Sequence, residues 1–221
     1  MKPHYNAVFI SDTHLGTSRT KDKELLEFIH SFKSNRLYLV GDIIDGWALE
    51  RRHYWNNTQT EIIRRILKIS HDTEVIYIPG NHDKFIRPFF RYNFSFGNFS
   101  IQDYVLHKAI DGRTIYVTHG DKHDFWMHIP KPVINFLAHF TDLPIFAEER
   151  QQTPKRYMRT TSTESSVKRH CKLKGYDAAL TGHTHYPKIE KEFMNDGDWV
   201  KHCSYIVENL DGTWELNYYE K

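Results

Sequence analysis

The chain has 221 residues, 39% hydrophobic and 26% charged, which is enough apolar material for one globular domain (1–221) with a full core and at most a small insertion. A formal net charge of +2 creates no overall field that demands nucleic acid, so no stable nucleic-acid partner is expected. Two cysteines, Cys171 and Cys203, make no disulfide framework, no stretch approaches the ~20 apolar residues of a membrane span, and the opening residues lack the apolar run of a signal peptide, all of which leads us to expect a cytoplasmic protein.

In chain order, residues 7–10 form a short apolar run ending at Ser11-Asp12-Thr13-His14. A helical pattern follows, with Leu25, Leu26, Ile29 and Phe32 on one face, and then an apolar run at 37–40 ending at Gly41-Asp42-Ile43-Ile44-Asp45. Ile62, Ile63, Ile66 and Leu67 mark a second helix, whose start reads as a capping box from Thr58 to Glu61. The run 75–78 leads into Pro79-Gly80-Asn81-His82-Asp83, and the run 115–118 into His119-Gly120-Asp121. Residues 124–174 interrupt the order: aromatic and proline-rich to about Phe146, then basic and rich in Ser and Thr, they read as a helical insertion near the site. Residues 178–180 resume it, running into Thr181-Gly182-His183-Thr184-His185. Asp111-Gly112 and Asp211-Gly212 each separate β-rich runs as hairpin turns do. Strands alternating with helices predict an α/β layered fold, in which ligands collect beyond the carboxyl ends of strands.

Fifteen histidines are the unusual number, and several stand with aspartates at these strand ends. Divalent metals held by nitrogen and oxygen need imidazole, carboxylate and amide oxygen converging on one point. Alternate residues of an extended segment project to one side, so Asp12-x-His14 and His183-x-His185 are each expected to give two ligands to one ion. A second ion close to the first needs a shared group, and a carboxylate with two oxygens can bridge; Asp42 is the best candidate. Glycines 41, 80, 120 and 182 adjoin these residues, as tight turns and close backbone approach require.

Asp12-x-His14, Gly41-Asp42-x-x-Asp45, Gly80-Asn81-His82-Asp83, His119 and Gly182-His183-x-His185 resemble, in order, the signature of the calcineurin-like metallophosphoesterases. The resemblance implies a four-layer α-β-β-α sandwich with metals at its edge. It implies one metal held by Asp12, His14, Asp42 and His185, and another by Asp42, Asn81, His119 and His183. His82 would be catalytic, facing the substrate for proton donation or phosphate stabilisation, with Asp45 orienting it. Two divalent ions, manganese foremost and iron, zinc or cobalt as alternatives, would hold the phosphoryl oxygens and activate a hydroxide.

The words 10–16, 41–47 and 195–200 resemble, more narrowly, the branch of UDP-2,3-diacylglucosamine pyrophosphatases of lipid A synthesis. That likeness implies release of UMP and 2,3-diacylglucosamine 1-phosphate, and a helical cap, here 124–174, with peripheral contact at the inner face of the membrane. Phe125, Trp126, Val133, Ile134, Phe136, Leu137, Phe140 and Phe146 could line an acyl channel or pack the cap onto the domain; packing is the usual fate of apolar residues. Lys155, Arg156, Arg159, Lys168, Arg169, Lys172 and Lys174 could hold a diphosphate or an anionic lipid surface, or form a solvated face. His123, Asp124, Arg156, Arg159 and Lys168 are the expected substrate contacts, with His128 also near the cap. Where the lipid A enzymes tend to carry arginine at the position of His82, this chain has the general Gly-Asn-His-Asp form, so a broader phosphodiesterase or phosphatase acting on nucleotides or phosphoproteins is the alternative. A non-catalytic scaffold of the same fold is the other.

Overall fold

The apolar runs become the central strands of two stacked sheets. A computed structural model describes residues 2–90, 94–125 and 154–220, the side chains of Phe90 and of residues 154–159 excepted. In chain order the elements are β1 (His4–Ile10), α1 (Asp22–Ser31), β2 (Lys33–Leu39), α2 (Gly46–Arg51), α3 (Asn57–Ile69), β3 (Glu74–Tyr77), α4 (Arg87–Phe90), β4 (Ser95–Phe96), β5 (Phe99–Ile101), β6 (Val105–Lys108) and β7 (Thr114–Val117). After these come α5 (Pro154–Lys174), β8 (Ala178–Thr181), β9 (Lys188–Ile189), β10 (Phe193–Asn195), β11 (Ser204–Asn209) and β12 (Trp214–Tyr218). One sheet has the order β12-β11-β1-β2-β3-β5-β4, the other β6-β7-β8-β10-β9.

Strands β1, β2 and β3 are parallel neighbours buried on both faces, which is why each reads as a continuous apolar run without alternation. Period two sorts their side chains. Ala7, Phe9, Tyr38, Val40, Ile76 and Ile78 face the second sheet, where they meet Ile115, Val117, Ala178 and Leu180. Val8, Ile10, Leu37, Leu39 and Val75 face outward and pack under Leu25, Phe28 and Ile29 of α1 and Ile62 and Ile66 of α3. The outer face of the second sheet, Tyr116, Ala179 and Phe193, is covered by Val167 and Cys171 of α5. Helix, sheet, sheet, helix is the four-layer α/β sandwich expected.

The helix α5 therefore forms the fourth layer of the domain, and this is the described part of the stretch expected to be a cap. Trp126, His128, Val133, Ile134, Phe136, Leu137, Phe140 and Phe146 lie outside the described residues. Phe125 is exposed. Both hairpins are present, β6 with β7 and β11 with β12 pairing antiparallel across the Asp-Gly turns.

The start of α3 differs from expectation. Its cap is Asn56, whose Oδ1 accepts the Gln59 amide at 2.8 Å while its Nδ2 donates to Asp22 at 2.6 Å, so a residue two positions before Thr58 satisfies the first turn and ties α3 to α1. Asn56→Ala is expected to lower stability by about 1 kcal/mol or somewhat more, and Thr58→Ala by a few tenths at most, as read by urea denaturation.

Candidate metal centre

Five loops following β1, β2, β3, β7 and β8 meet at one edge of the sandwich. Backbone hydrogen bonds lay the first along the second, Asp12 N donating to Gly41 O, His14 N to Asp42 O and Leu15 N to Ile43 O at 2.9–3.0 Å. Gly182 N donates to His119 O at 3.1 Å within the second sheet's loops, and His183 N donates to Asp12 Oδ2 at 2.8 Å, joining the two sheets.

Asp12, His14, Asp42, His183 and His185 all have left-handed backbone, with φ between 47° and 67°. Among the described residues Cys203 is the one other non-glycine with positive φ. Such conformations cost about 1–3 kcal/mol each and persist where the surroundings over-determine them. They also correct the expected device. The X-x-His pairs are not set by strand alternation, since Asp12, His14, His183 and His185 have left the extended region; Asp12 and His14 do share one group, whereas His185 joins them and His183 joins Asp42 and His119. Glycine is required where the loops touch: a Cβ on Gly80 would lie 2.2 Å from Asp42 Oδ1, and one on Gly182 2.5 Å from Asp12 Oδ2.

Among the described residues the side chains form three groups able to hold an ion, one of them His14, Asp45 and His82. Asp12, His14 and His185 bring ligand atoms together, with His185 Nε2 3.0 Å from Asp12 Oδ1 and 3.4 Å from His14 Nε2. Asp42, His119 and His183 form the second group, with His119 Nε2 3.3 Å from Asp42 Oδ2. Asn81 is buried and its Oδ1, like Asp12 Oδ1 and His119 Nε2, has no hydrogen-bond partner. Buried polar atoms left unpartnered are costly. A converging set of oxygen and nitrogen donors, with Asp12 Oδ1, Asn81 Oδ1 and His119 Nε2 lacking a hydrogen-bond partner, fits divalent metal ions.

The opposite ring nitrogens are held. His119 Nδ1 donates to Val40 O at 2.8 Å, His14 Nδ1 lies 3.0 Å from Asp45 Oδ2, and His183 Nε2 lies 2.8 Å from Asp124 Oδ2, so each ring is fixed with its other nitrogen facing the group. Asp45 does more: its Oδ1 caps α2 through the Ala48 amide at 2.8 Å and lies 3.0 Å from His82 Nδ1. Asp45, expected to orient His82, thus touches two histidines, His14 and His82. His82 stands partly exposed with its Nε2 3.9 Å from Asp42 Oδ2 and its ring 4.3 Å from that of Trp47.

Burial alone would raise the carboxyls of Asp12 and Asp42, but facing imidazoles, His185 and His14 for the first and His119 for the second, hold both below the usual range. Conversely, burial pulls His14 down and Asp12 and Asp45 outweigh it, holding it up at about 10. Burial and then the charge of Asp42 push Asp83 up to about 6; it braces the site by accepting from Ile43 N, Tyr77 Oη and Gly80 N.

Of the expected substrate contacts, Asp124 is fully buried, with its Oδ2 2.8 Å from His183 Nε2. Lys168 places its charge between Glu164 and Glu190, at 2.6 and 3.3 Å. His123 packs against Tyr116 and His170. The side chains of Arg156 and Arg159 lie outside the described residues. Sequence reasoning missed Trp47, Asn195 and Asp198. Asn195 donates to Gly182 O at 2.6 Å, and Asp198 Oδ2 lies 3.8 Å from His185 Nδ1; the word containing them is visible in the sequence, but the parallel pairing of β10 with β8 that brings it here is not.

Buried carboxylates and imidazoles at the edge of a two-sheet sandwich, with a histidine facing outward, define a metal-dependent hydrolytic centre. Residues 5–187 match the model of the calcineurin-like phosphoesterases, and the chain belongs to that family. It is a metal-dependent phosphoester hydrolase. Similar solved structures include vacuolar protein sorting 29 from Cryptosporidium parvum, 16% identical with 96% of this chain and 95% of that chain covered (TM-score 0.48). A predicted phosphoesterase from Streptococcus pneumoniae TIGR4 is 14% identical over 97% of each chain (TM-score 0.41). A phosphoesterase from E. coli is 16% identical over 97% of this chain and 99% of that one (TM-score 0.45). No match was found among curated proteins.

The raised His14 gives opposite pH slopes to two observables. Its contribution to the stability of chelator-treated protein is fully present below the ordinary value of 6.5 and is lost as pH rises through about 10. A divalent ion must displace the same proton, so affinity rises over the interval in which that stability falls. Thermal denaturation of chelated protein and calorimetric titration with Mn²⁺ across this range check both slopes.

Proposed function

We propose that the chain hydrolyses a phosphodiester or pyrophosphate bond with two divalent ions, one held by Asp12, His14, Asp42 and His185 and the other by Asp42, Asn81, His119 and His183. The observation that carries this reading is the pair of ligand groups, Asp12, His14 and His185 in one and Asp42, His119 and His183 in the other, with His82 Nε2 3.9 Å from Asp42 Oδ2. Such a pair of ions supplies Lewis acidity to phosphoryl oxygens and lowers the pKa of a water. With Nδ1 turned to Asp45, His82 presents Nε2 to the substrate side, where it can give a proton to the departing oxygen as the P–O bond breaks. Asp45 keeps that ring in register with His14.

Manganese suits the histidine, aspartate and asparagine set, and iron, zinc or cobalt can occupy the same donors. The words at 10–16, 41–47 and 195–200 favour UDP-2,3-diacylglucosamine as substrate, cleaved to UMP and the lipid phosphate, with the protein in the cytoplasm and in peripheral contact with the membrane. No helix among the described residues is long and apolar enough to cross a membrane. The Gly-Asn-His-Asp word at His82 favours the wider class of phosphodiesters. A panel of UDP-2,3-diacylglucosamine, nucleotide diphosphate sugars, cyclic dinucleotides and phosphopeptides separates these, UMP release from the acylated sugar alone supporting the narrower substrate.

Asp42→Asn is expected to abolish turnover of bis-p-nitrophenyl phosphate in the presence of Mn²⁺, and His82→Gln to lower kcat by about 10²–10⁴ with metal content unchanged. Undiminished turnover in the Asp42 variant refutes the proposal.

A further inference from the structure

The segment Asn195-Asp196-Gly197-Asp198-Trp199 follows β10 and reaches back to the first ligand loop, and no step above uses its Asp196. Ser11 Oγ lies 2.7 Å from Asp12 Oδ2 and 2.6 Å from Asp196 Oδ1, with all three residues fully buried. Two short oxygen contacts to one hydroxyl need two protons. Serine brings one. Asp12 must be ionised to serve as a ligand, so the second proton belongs to Asp196. Burial holds the Asp196 carboxyl well above the usual range, outweighing the contact with Ser11 and helped by the charge of Asp12.

The donor order follows. Asp196 donates to Ser11 Oγ, and the Ser11 hydroxyl donates to Asp12 Oδ2, which also accepts the His183 amide at 2.8 Å. Oδ2 is thus occupied by the protein, and Oδ1, without a hydrogen-bond partner, is the oxygen turned toward His14 and His185. There is no slack around the hydroxyl: a Cβ on Gly182 would lie 2.3 Å from Ser11 Oγ, and Gly197 O stands 3.3 Å from it. Ser204 Oγ donates to Asp196 O at 2.7 Å, anchoring the far end to the start of β11.

We propose that Asp196 and Ser11 form a positioning relay, a neutral carboxyl and a hydroxyl that fix the Asp12 carboxylate with Oδ1 presented to a divalent ion. This inference rests on the two-ion reading above. Neither residue touches the reacting atoms. The relay requires a donor at position 196, not a negative charge, which separates it from a role for Asp196 as a further ligand.

The test is Mn²⁺ affinity by calorimetric titration of the full chain, with thermal denaturation of the chelated proteins alongside. Ser11→Ala removes one buried oxygen and is expected to weaken binding tenfold to a hundredfold. Asp196→Ala is expected to do the same, and the double variant to be no worse than either single one, because both act through one hydroxyl. In Asp196→Asn the amide donates permanently to Ser11, so affinity within about threefold of the unaltered chain is expected. Binding unchanged in Ser11→Ala, a loss in Asp196→Asn as large as in Asp196→Ala, or losses that multiply in the double variant would each overturn the relay while leaving the two-ion reading standing. No ion uptake by the unaltered chain overturns both.

Discussion

Carboxylate charge gathered where β1 and β2 end is what the rest of the molecule must accommodate. Asp12, Asp42 and Asp45 are buried among the imidazoles of His14, His82, His119 and His185, away from water that would otherwise solvate them. Each can stay ionised only because positive charge is held close by, on protonated rings or on ions. The loops, the close-approach glycines and the bracing aspartates all follow from keeping those groups at fixed distances. A tighter hold costs backbone strain, and the strain is found at the ligands themselves.

The braces are drawn from the whole fold. Val40 O comes from the end of β2, Asp45 from the start of α2, Asp124 from the segment after β7 and Asp198 from the loop after β10. Trp199 joins this set to the core: its backbone N–H donates to Asp12 O, while its ring packs 5.0 Å from Phe28 of α1. The outermost helix layer and the first ligand loop are therefore one mechanical unit.

Much of this was legible in the sequence because doubly buried parallel strands are plain apolar runs, and the polar word after each run names the loop residues. Thus β1, β2, β3, β7 and β8 and the loops that follow them could be read directly. Strands of two or three residues, β4, β5, β9 and β10, carry too little periodicity to find. The packing of helix α5 on the second sheet could not be read from periodicity because its buried stripe, Val167 and Cys171, is thin within a basic, hydroxyl-rich run. The cap of α3 was misplaced because Asn56 answers to a tertiary contact with Asp22 as well as to its own helix. The inward aim of Asp12 and His185 came from left-handed turns that residue types other than glycine and asparagine do not announce.

Two of the groups take members from both sheets: Asp12 and His14 follow β1 while His185 follows β8, and Asp42 follows β2 while His119 follows β7. His14 and His185 stand 171 positions apart in the chain. An ion seated among them is accordingly a cross-link between the sheets, closing a loop as long as most of the protein, and it cannot form until β8 has docked. During synthesis the acidic loops of the first half leave the ribosome long before His183 and His185 do, so the centre can be assembled only from both halves of the chain.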